Sequence, residues 1–360
     1  MPQQRRLAHQ KAGFALPAVL TTVTILTIIY LTVIVATHDL LKEAVYQKEE
    51  SRFLLDAMSA EAELAFWVAT EPETRNALSI GAPRQSGLTD PAAIEALQGG
   101  GIRYLRIDAT DYAWRRNADP MAPDLILTIQ DDAGLINLNF ASQEVRERVF
   151  EAAGLDAGAA QVMASQLTDY IDGDDFLSLG GAEFKDYERV GRAPPPNQTL
   201  NNPAELYGLL GWKNNPPPNW DKIAGRITTQ YDTASFNINT ATSETLSLVF
   251  GMTERQAEAA IARRGSQPFY SVSELGLADD NERLYTYANG RFHLTVFDSE
   301  RGFRYTSRLS LIPDNPERPI WIELESMQRY KPRDKPRPDG LPTFPKPGRA
   351  SDPSRPDQAP

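Results

Sequence analysis

The chain has no cysteine and only three histidines, His9, His38 and His293. A disulfide framework and a thiolate metal site are therefore excluded, and the missing thiols are compatible with cytoplasm and periplasm alike. The three histidines share no metal-ligand spacing, and no G-x-S-x-G, Walker A or H-E-x-x-H pattern occurs. Nothing in the pattern marks an enzyme; an Asp–Glu hydrolase pair stays formally open in any acidic chain. Positive charge is scarce in the body. The formal net charge is −11, yet residues 1–13 carry +3 and residues 331–360 another +3, so residues 14–330 hold −17. Such a body repels nucleic acid and suits calcium or a basic protein.

What the chain does have is a long apolar run. Phe14 to Ala36 contains 23 residues without a charge. As a helix at about 1.5 Å per residue this crosses a bilayer, and it exceeds the roughly 7–15 residues of a secretory h-region. Arg5, Arg6 and Lys11 precede it and acidic residues follow it. That asymmetry puts the N-terminus in the cytoplasm and the body across the membrane. A simple anchor is the plain reading. Gly13 and Pro17 argue for more, because both weaken a helix running on from the leader. A cut after Gly13 makes Pro17 the fourth residue, where the backbone N–H has no intrahelical partner to lose.

Helical spacing continues past the run through Leu40, Leu41, Leu54, Leu55, Met58 and Phe66, until Pro72 stops it. One helix of 14–69 is expected, the alternative being an anchor with a separate juxtamembrane helix. Residues 71–101 read as loop. "GIRYLRIDA" alternates like a strand, and "DLILTIQDDAGLINLN" like a hairpin turning at "DDAG". "GRFHLTVFD", "GFRYTSRLSLIP" and "PIWIELES" alternate far downstream. Together they predict an α+β fold: a long N-terminal helix packed on an antiparallel sheet, with a large, mostly helical domain inserted between strands. The expected segments are leader 1–13, membrane helix 14–36, helix and first sheet strands 37–140, insertion 141–285, remaining strands 286–330 and tail 331–360. Nine prolines in the tail predict a disordered or polyproline-like segment outside the core. Trp212, Trp220 and Trp321 read as core.

Two parts of the insertion suggest chemistry. Asp172, Asp174 and Asp175 in "DYIDGDD", followed by Glu183 and Asp186 in "GGAEFKDY", are candidate cation ligands. Calcium takes six to eight oxygens, which a glycine-bearing loop can gather, although the spacing is not that of an EF-hand. A solvated polar turn is the alternative. "NINTATSETLSLVFGMTERQAEAAIARR" looks like a helix-hairpin-helix, a module that can hold DNA phosphates on backbone N–H groups. Its hairpin reads Gly251-Met252-Thr253 and lacks a second glycine; Arg255, Arg263 and Arg264 supply limited charge on an acidic body.

A basic leader, then glycine, then phenylalanine and an apolar helix resembles the type III signal of prepilins and pseudopilins. "DDAGLINLN", "LTDYIDGDD", "GGAEFKDY", "APPPNQTLNNPAELYGLLG" and "FNINTATSETLSLVFG", in that order, narrow the resemblance over roughly residues 5–325. They look like the minor pseudopilin family of the type II secretion system called general secretion pathway protein K. The resemblance implies cleavage between Gly13 and Phe14 by a prepilin peptidase and methylation of the Phe14 amine. Ala18 stands at the fifth mature position, where most of that superfamily has glutamate. It further implies a non-enzymatic subunit of the bacterial inner membrane, with its body in the periplasm. This subunit would cap the tip of the pseudopilus, help start its assembly for protein export, and contact I-type and J-type minor pseudopilins and the major pseudopilin filament. It also implies structural calcium in the insertion and no nucleic acid. The rival reading is a membrane-anchored helix-hairpin-helix DNA-binding protein of a competence or type IV pilus system.

Overall fold

The computed structural model describes residues 15–81, 103–116, 124–230, 236–276, 284–312, 315, 317–330 and 340–346. The leader and the predicted Gly13–Phe14 cleavage site lie outside them. The chain divides into two units, residues 1–56 and 57–360.

Helix α1 spans Ala15–Thr70 without a break. Pro17 lies near the beginning of the described part of this helix. Every described side chain from Leu16 to Val45 is exposed, and this helix is long and apolar enough to cross a membrane. Threonines inside the run turn their hydroxyls onto the preceding turn: Thr21 onto the Pro17 carbonyl at 2.8 Å, Thr24 onto Leu20 at 2.8 Å. Their polar atoms are thus satisfied within the helix, as an apolar solvent demands.

The second unit starts within the same helix. Ala57, Ala60, Leu64, Trp67 and Val68 are buried, a stripe at helical spacing with two alanines that allow close approach. The predicted face is thereby corrected: Leu55, Met58 and Phe66 are exposed. Polar bonds select the buried face as much as hydrophobicity does. Glu61 accepts from the Tyr305 hydroxyl at 2.8 Å and Glu63 from the Trp114 indole at 2.7 Å.

Five antiparallel strands form the main sheet: β3 (Asp108–Trp114), β4 (Leu125–Asp131), β9 (Arg291–Asp298), β10 (Phe303–Leu311) and β11 (Ile320–Arg329). Their spatial order is β11-β10-β9-β4-β3. Strand β4 therefore pairs directly with β9, far downstream in sequence. A separate antiparallel pair joins β1 (Ala77–Ile80), inside the predicted loop, to β2 (Arg103–Arg106), inside the strand predicted at 101–109.

Three expectations are corrected. The "DDAG" hairpin does not form. Asp131 accepts the Ala133 N–H at 3.3 Å, and a 3-10 turn at Asp132–Gly134 carries the chain out of the sheet. The next strand, β5 (Ile136–Asn137), pairs in parallel with β6 (Ile227–Thr228), so the insertion starts just after Asp131. The tail is partly core: Phe344 is 1% exposed, and residues 342–344 line the free edge of β3 through Ala113 N–H to the Pro342 carbonyl and Phe344 N–H to the Ala113 carbonyl, both 2.9 Å. Prolines suit an edge because a missing N–H costs nothing there. Residues 331–339 and 347–360 lie outside the described residues. Finally, Trp321 is 55% exposed on edge strand β11, whereas Trp212 and Trp220 are buried.

The insertion consists of two copies of one unit. In the first, β5 leads to α2 (Gln143–Ala152), capped by Ser142, and α3 (Ala157–Ile171), capped by Asp156. In the second, β7 (Phe236–Asn237) leads to α7 (Ser243–Phe250), capped by Thr242, and α8 (Glu254–Ser266), capped by Thr253. The first copy also carries short helices α4 (Phe184–Arg189), α5 (Leu210–Asn214) and α6 (Trp220–Ile223) before its closing strand. Each copy closes through a capped 3-10 turn, Pro203–Gly208 and Val272–Leu275, and a parallel strand, β6 and β8 (Leu284–Tyr285). Asn202 caps the first of these turns, as its sequence predicts.

One asparagine pins each copy. The Asn139 amide donates to the Leu200 and Thr229 carbonyls at 2.9 and 2.8 Å and accepts the Leu200 N–H at 2.8 Å. Asn239 donates to Phe269 and Thr286 at 2.9 and 3.1 Å and accepts the Phe269 N–H at 2.8 Å.

The insertion joins the sheet through buried acids. Asp131 accepts from Thr240 at 2.7 Å and Asn237 at 3.0 Å, and Asp132 meets His293 at 2.7 Å. Burial, reinforced by the Asp131 charge, pushes Glu73 up to about 7. Burial also pushes Asp131 up to about 7, against the hydrogen bonds of Thr240 and Asn237. The folded state thus holds extra protons between the ordinary carboxylate range, about 4, and about 7. Stability is fullest below that window and falls as pH rises through it. Glu73→Gln should flatten the slope of melting temperature against pH between about 5 and 7; an unchanged slope contradicts this assignment.

Candidate metal centre

Helix α3 ends at Ile171, and its last turn delivers Asp169 and Asp172 to the loop that follows. Asp169 is fully buried and accepts the Ser178 N–H with both carboxylate oxygens, at 3.3 and 3.2 Å. Gly181 makes room for it: a Cβ there would lie 1.9 Å from Asp169 Oδ2. Asp174 accepts the Phe176 N–H at 2.9 Å, and the Asn197 amide donates to the Asp174 carbonyl at 3.2 Å.

Several oxygens in this loop have no donor. Asp172 Oδ1 and Asn197 Oδ1 are buried without a hydrogen-bond partner, and the buried Glu183 carboxylate faces only backbone N–H groups of the helix turn it starts. Burial comes first among the forces that push Glu183 up to about 7, followed by the negative charge of Asp169, Asp172 and Asp175. Asp172 is raised in the same way, by burial and then by Asp174 and Asp169. Four of the five predicted residues, Asp172, Asp174, Asp175 and Glu183, therefore share one negative neighbourhood. Asp186 is turned elsewhere: it accepts the Glu183 N–H at 3.2 Å and pairs with Arg189 at 3.1 Å, which starts α4.

Sequence reasoning missed Asp169, which it read as helix, and Asn197. Its signal was present in "LTDYIDGDD", since Asp169 and Asp172 lie three apart on one helical face. Among the described residues no three carboxylates or imidazoles are gathered tightly enough to hold an ion alone. The donor set is nevertheless all oxygen, largely anionic, and includes acceptors whose burial is costly without a partner. A hard cation that accepts backbone carbonyls and water in its shell fits it.

The helix-hairpin-helix-like segment is the second copy of the repeat. Gly251 adopts the left-handed conformation, with φ +67°, that ends α7. Two of its arginines serve the fold. Arg264 is 2% exposed and donates to the Ile238 and Ala241 carbonyls, with Asp108 at 3.5 Å. Burial lowers Arg264 to about 10, while Asp108 acts to raise it. Arg263 pairs with Glu274 at 2.9 Å, and Arg255 is exposed.

Residues 128–216, which run from within β4 through most of the first copy to just past α5, match the family model of type II secretion system (T2SS), protein K. No curated protein matches. A solved structure described as the GspK-GspI-GspJ complex from the enterotoxigenic Escherichia coli type 2 secretion system is similar at 18% identity, with a TM-score of 0.47, over 80% of this chain and 99% of that chain.

Proposed function

We propose that this chain, whose residues 128–216 match the type II secretion system protein K family model, is a non-enzymatic minor pseudopilin of that family that caps the tip of a periplasmic pseudopilus. The observation that carries the reading is the interruption of the sheet. Strands β4 and β9 are hydrogen-bonded neighbours, yet the whole double-copy insertion lies between them in sequence. A head of this kind carries bulk that a stacking pilin subunit lacks. Ala18 adds to the reading, since a capping subunit needs no carboxylate to pair with an amine above it. The helix from Ala15 anchors the chain in the inner membrane, with the body in the periplasm.

Processing by a prepilin peptidase between Gly13 and Phe14, methylation of Phe14, contact with the major pseudopilin filament and assembly with I-type and J-type minor pseudopilins complete the proposal. One purification tests it. The full chain, extracted from membranes, should bring down the I- and J-type subunits and yield Phe14 as its first residue. A mature start elsewhere, or a chain without either partner, contradicts it. A soluble version should run from residue 37 to 346, because Phe344 belongs to the core.

Calcium belongs to the same proposal, through some of Asp172, Asp174, Asp175 and Glu183, with Asp169 behind them. When bound, the ion supplies charge neutralisation to a loop of crowded carboxylates. A ligand held only by the folded state stabilises it by about 2.7 kcal/mol at a hundredfold excess over Kd. Calcium should raise the melting temperature and a chelator should lower it, with magnesium a poor substitute. A melting curve unmoved across millimolar calcium contradicts the site. Glu183→Gln should weaken the calcium response, whereas Asp186→Asn, at a residue already engaged with Arg189, should leave most of it.

A further inference from the structure

The two copies of the repeat differ in one place. In the second, Gln267 and Pro268 suffice to link α8 to Phe269, the residue held by Asn239. In the first, residues 172–199 separate α3 from Leu200, the residue held by Asn139. The second copy thus closes without a counterpart of this long segment, which in the first copy also supplies the buried Ala182 and Tyr187. Its side chains are also unusual for a soluble surface. Phe176 is 83% exposed, Leu177 62% and Leu179 93%. Gly180 brings the loop back over α3, where a Cβ would lie 3.5 Å from Val162, itself 40% exposed. The apolar tips are held in place by the Asp169 and Asp174 bonds to Ser178 and Phe176. An ordered, contiguous apolar patch on a polar surface marks a binding site.

We infer that residues 176–179, with Val162, form a docking finger for a protein partner that offers an apolar pocket rimmed by lysine and arginine. Shape and charge choose this occupant. A short protruding loop fills a pocket better than it covers a flat face. Its base carries Asp169, Asp172, Asp174, Asp175 and Glu183, which outnumber the positive groups beside them: Arg146 faces Asp172, Arg189 is paired with Asp186, Arg192 is turned to the Tyr207 and Leu209 carbonyls, and Lys185 follows Glu183. A single divalent ion would leave that base negative, so its preference for a basic rim holds with or without calcium. The same charge disfavours an anionic lipid surface and a second copy of this loop.

The test places a photo-crosslinking residue at Leu179 in the full-length chain, in cells that make the whole secretion machine, with exposed Arg255 as the control position. The expected result is a cross-link to a protein peptide containing apolar residues and Lys or Arg, about tenfold above the control. In isolated membranes it should weaken several-fold between about 50 and about 500 mM salt. A triple variant, Phe176→Ser, Leu177→Ser and Leu179→Ser, read through the same crosslinker moved to Ser178, should lose the link while the melting temperature and its calcium response stay as in wild type. Links to lipid or to another copy, a yield no greater than at Arg255, or insensitivity to salt would overturn the inference. Replacing residues 172–199 by Gln-Pro should remove the link as well. If that variant does not fold, the triple-serine protein decides.

Discussion

Arg264→Leu should destabilise the folded head by about 3–5 kcal/mol, as expected when one member of a buried charged network is removed. Arg264 lies at the C-terminal end of α8 yet points inward, away from the solvent that its sequence position suggests. Its guanidinium takes the Ile238 carbonyl at 3.0 Å and that of Ala241, and stands 3.5 Å from Asp108. It thus ties the second copy to itself and to β3. Leucine fills part of the volume but leaves two buried carbonyls without donors. Asp108 retains Arg106 at 2.7 Å, which caps the loss. Arg263→Leu, one residue earlier, breaks exposed bonds to the Glu274 carboxylate and carbonyl and a contact over the Phe269 ring; at a solvated site it should cost clearly less, about 1 kcal/mol. Denaturant unfolding of both variants checks the contrast; similar midpoints would contradict it. The first copy uses Arg146 alike, on the Leu138 and Asn139 carbonyls at 3.1 and 3.3 Å.

Removing the insertion should have the second large effect, on assembly. Excision of residues 135–286 takes out both copies with their strands and lets β4 run on to β9, its existing neighbour. If bulk blocks stacking, the trimmed head should enter the filament as an ordinary subunit would be able to, and pseudopili should lengthen. Ala18→Glu with the insertion intact should do the opposite of rescuing assembly. A charge at the helix centre costs about 2.5–3.5 kcal/mol on insertion scales, less near the interface. At a tip no amine lies above to pair with it, so membrane insertion or secretion should be mildly impaired.

The long helix, the three C-terminal strands and the split of the sheet were legible because their patterns are long and regular. The buried face of α1 was not. Alanines such as Ala57 and Ala60 carry little hydropathy, and Glu61 is inside only because Tyr305 lies opposite. The false hairpin at "DDAG" failed for a similar reason: Asp131 and Asp132 are engaged with Thr240 and His293, far away in sequence. Short strands such as β5 and β7 are two residues each and cannot show alternation. The duplication was readable, though. "NLNFAS" at 137–142 and "NINTAT" at 237–242 share the paired asparagines, the alanine and the hydroxyl cap. Of the acidic site, the carboxylates on the loop were read, while Asp169, three residues before Asp172 on the same helical face, was passed over because a helical aspartate ordinarily faces water. Whether the tail's Phe344 reaches the core is a matter of tertiary reach that composition cannot encode.

The most direct test of the capping account is to label the insertion of the full chain and map it on purified pseudopili, for wild type and Ala18→Glu. Label at one end of each filament in both proteins is the predicted result. Label distributed along the shaft, with the insertion intact, would show that its bulk does not block stacking and would contradict the account.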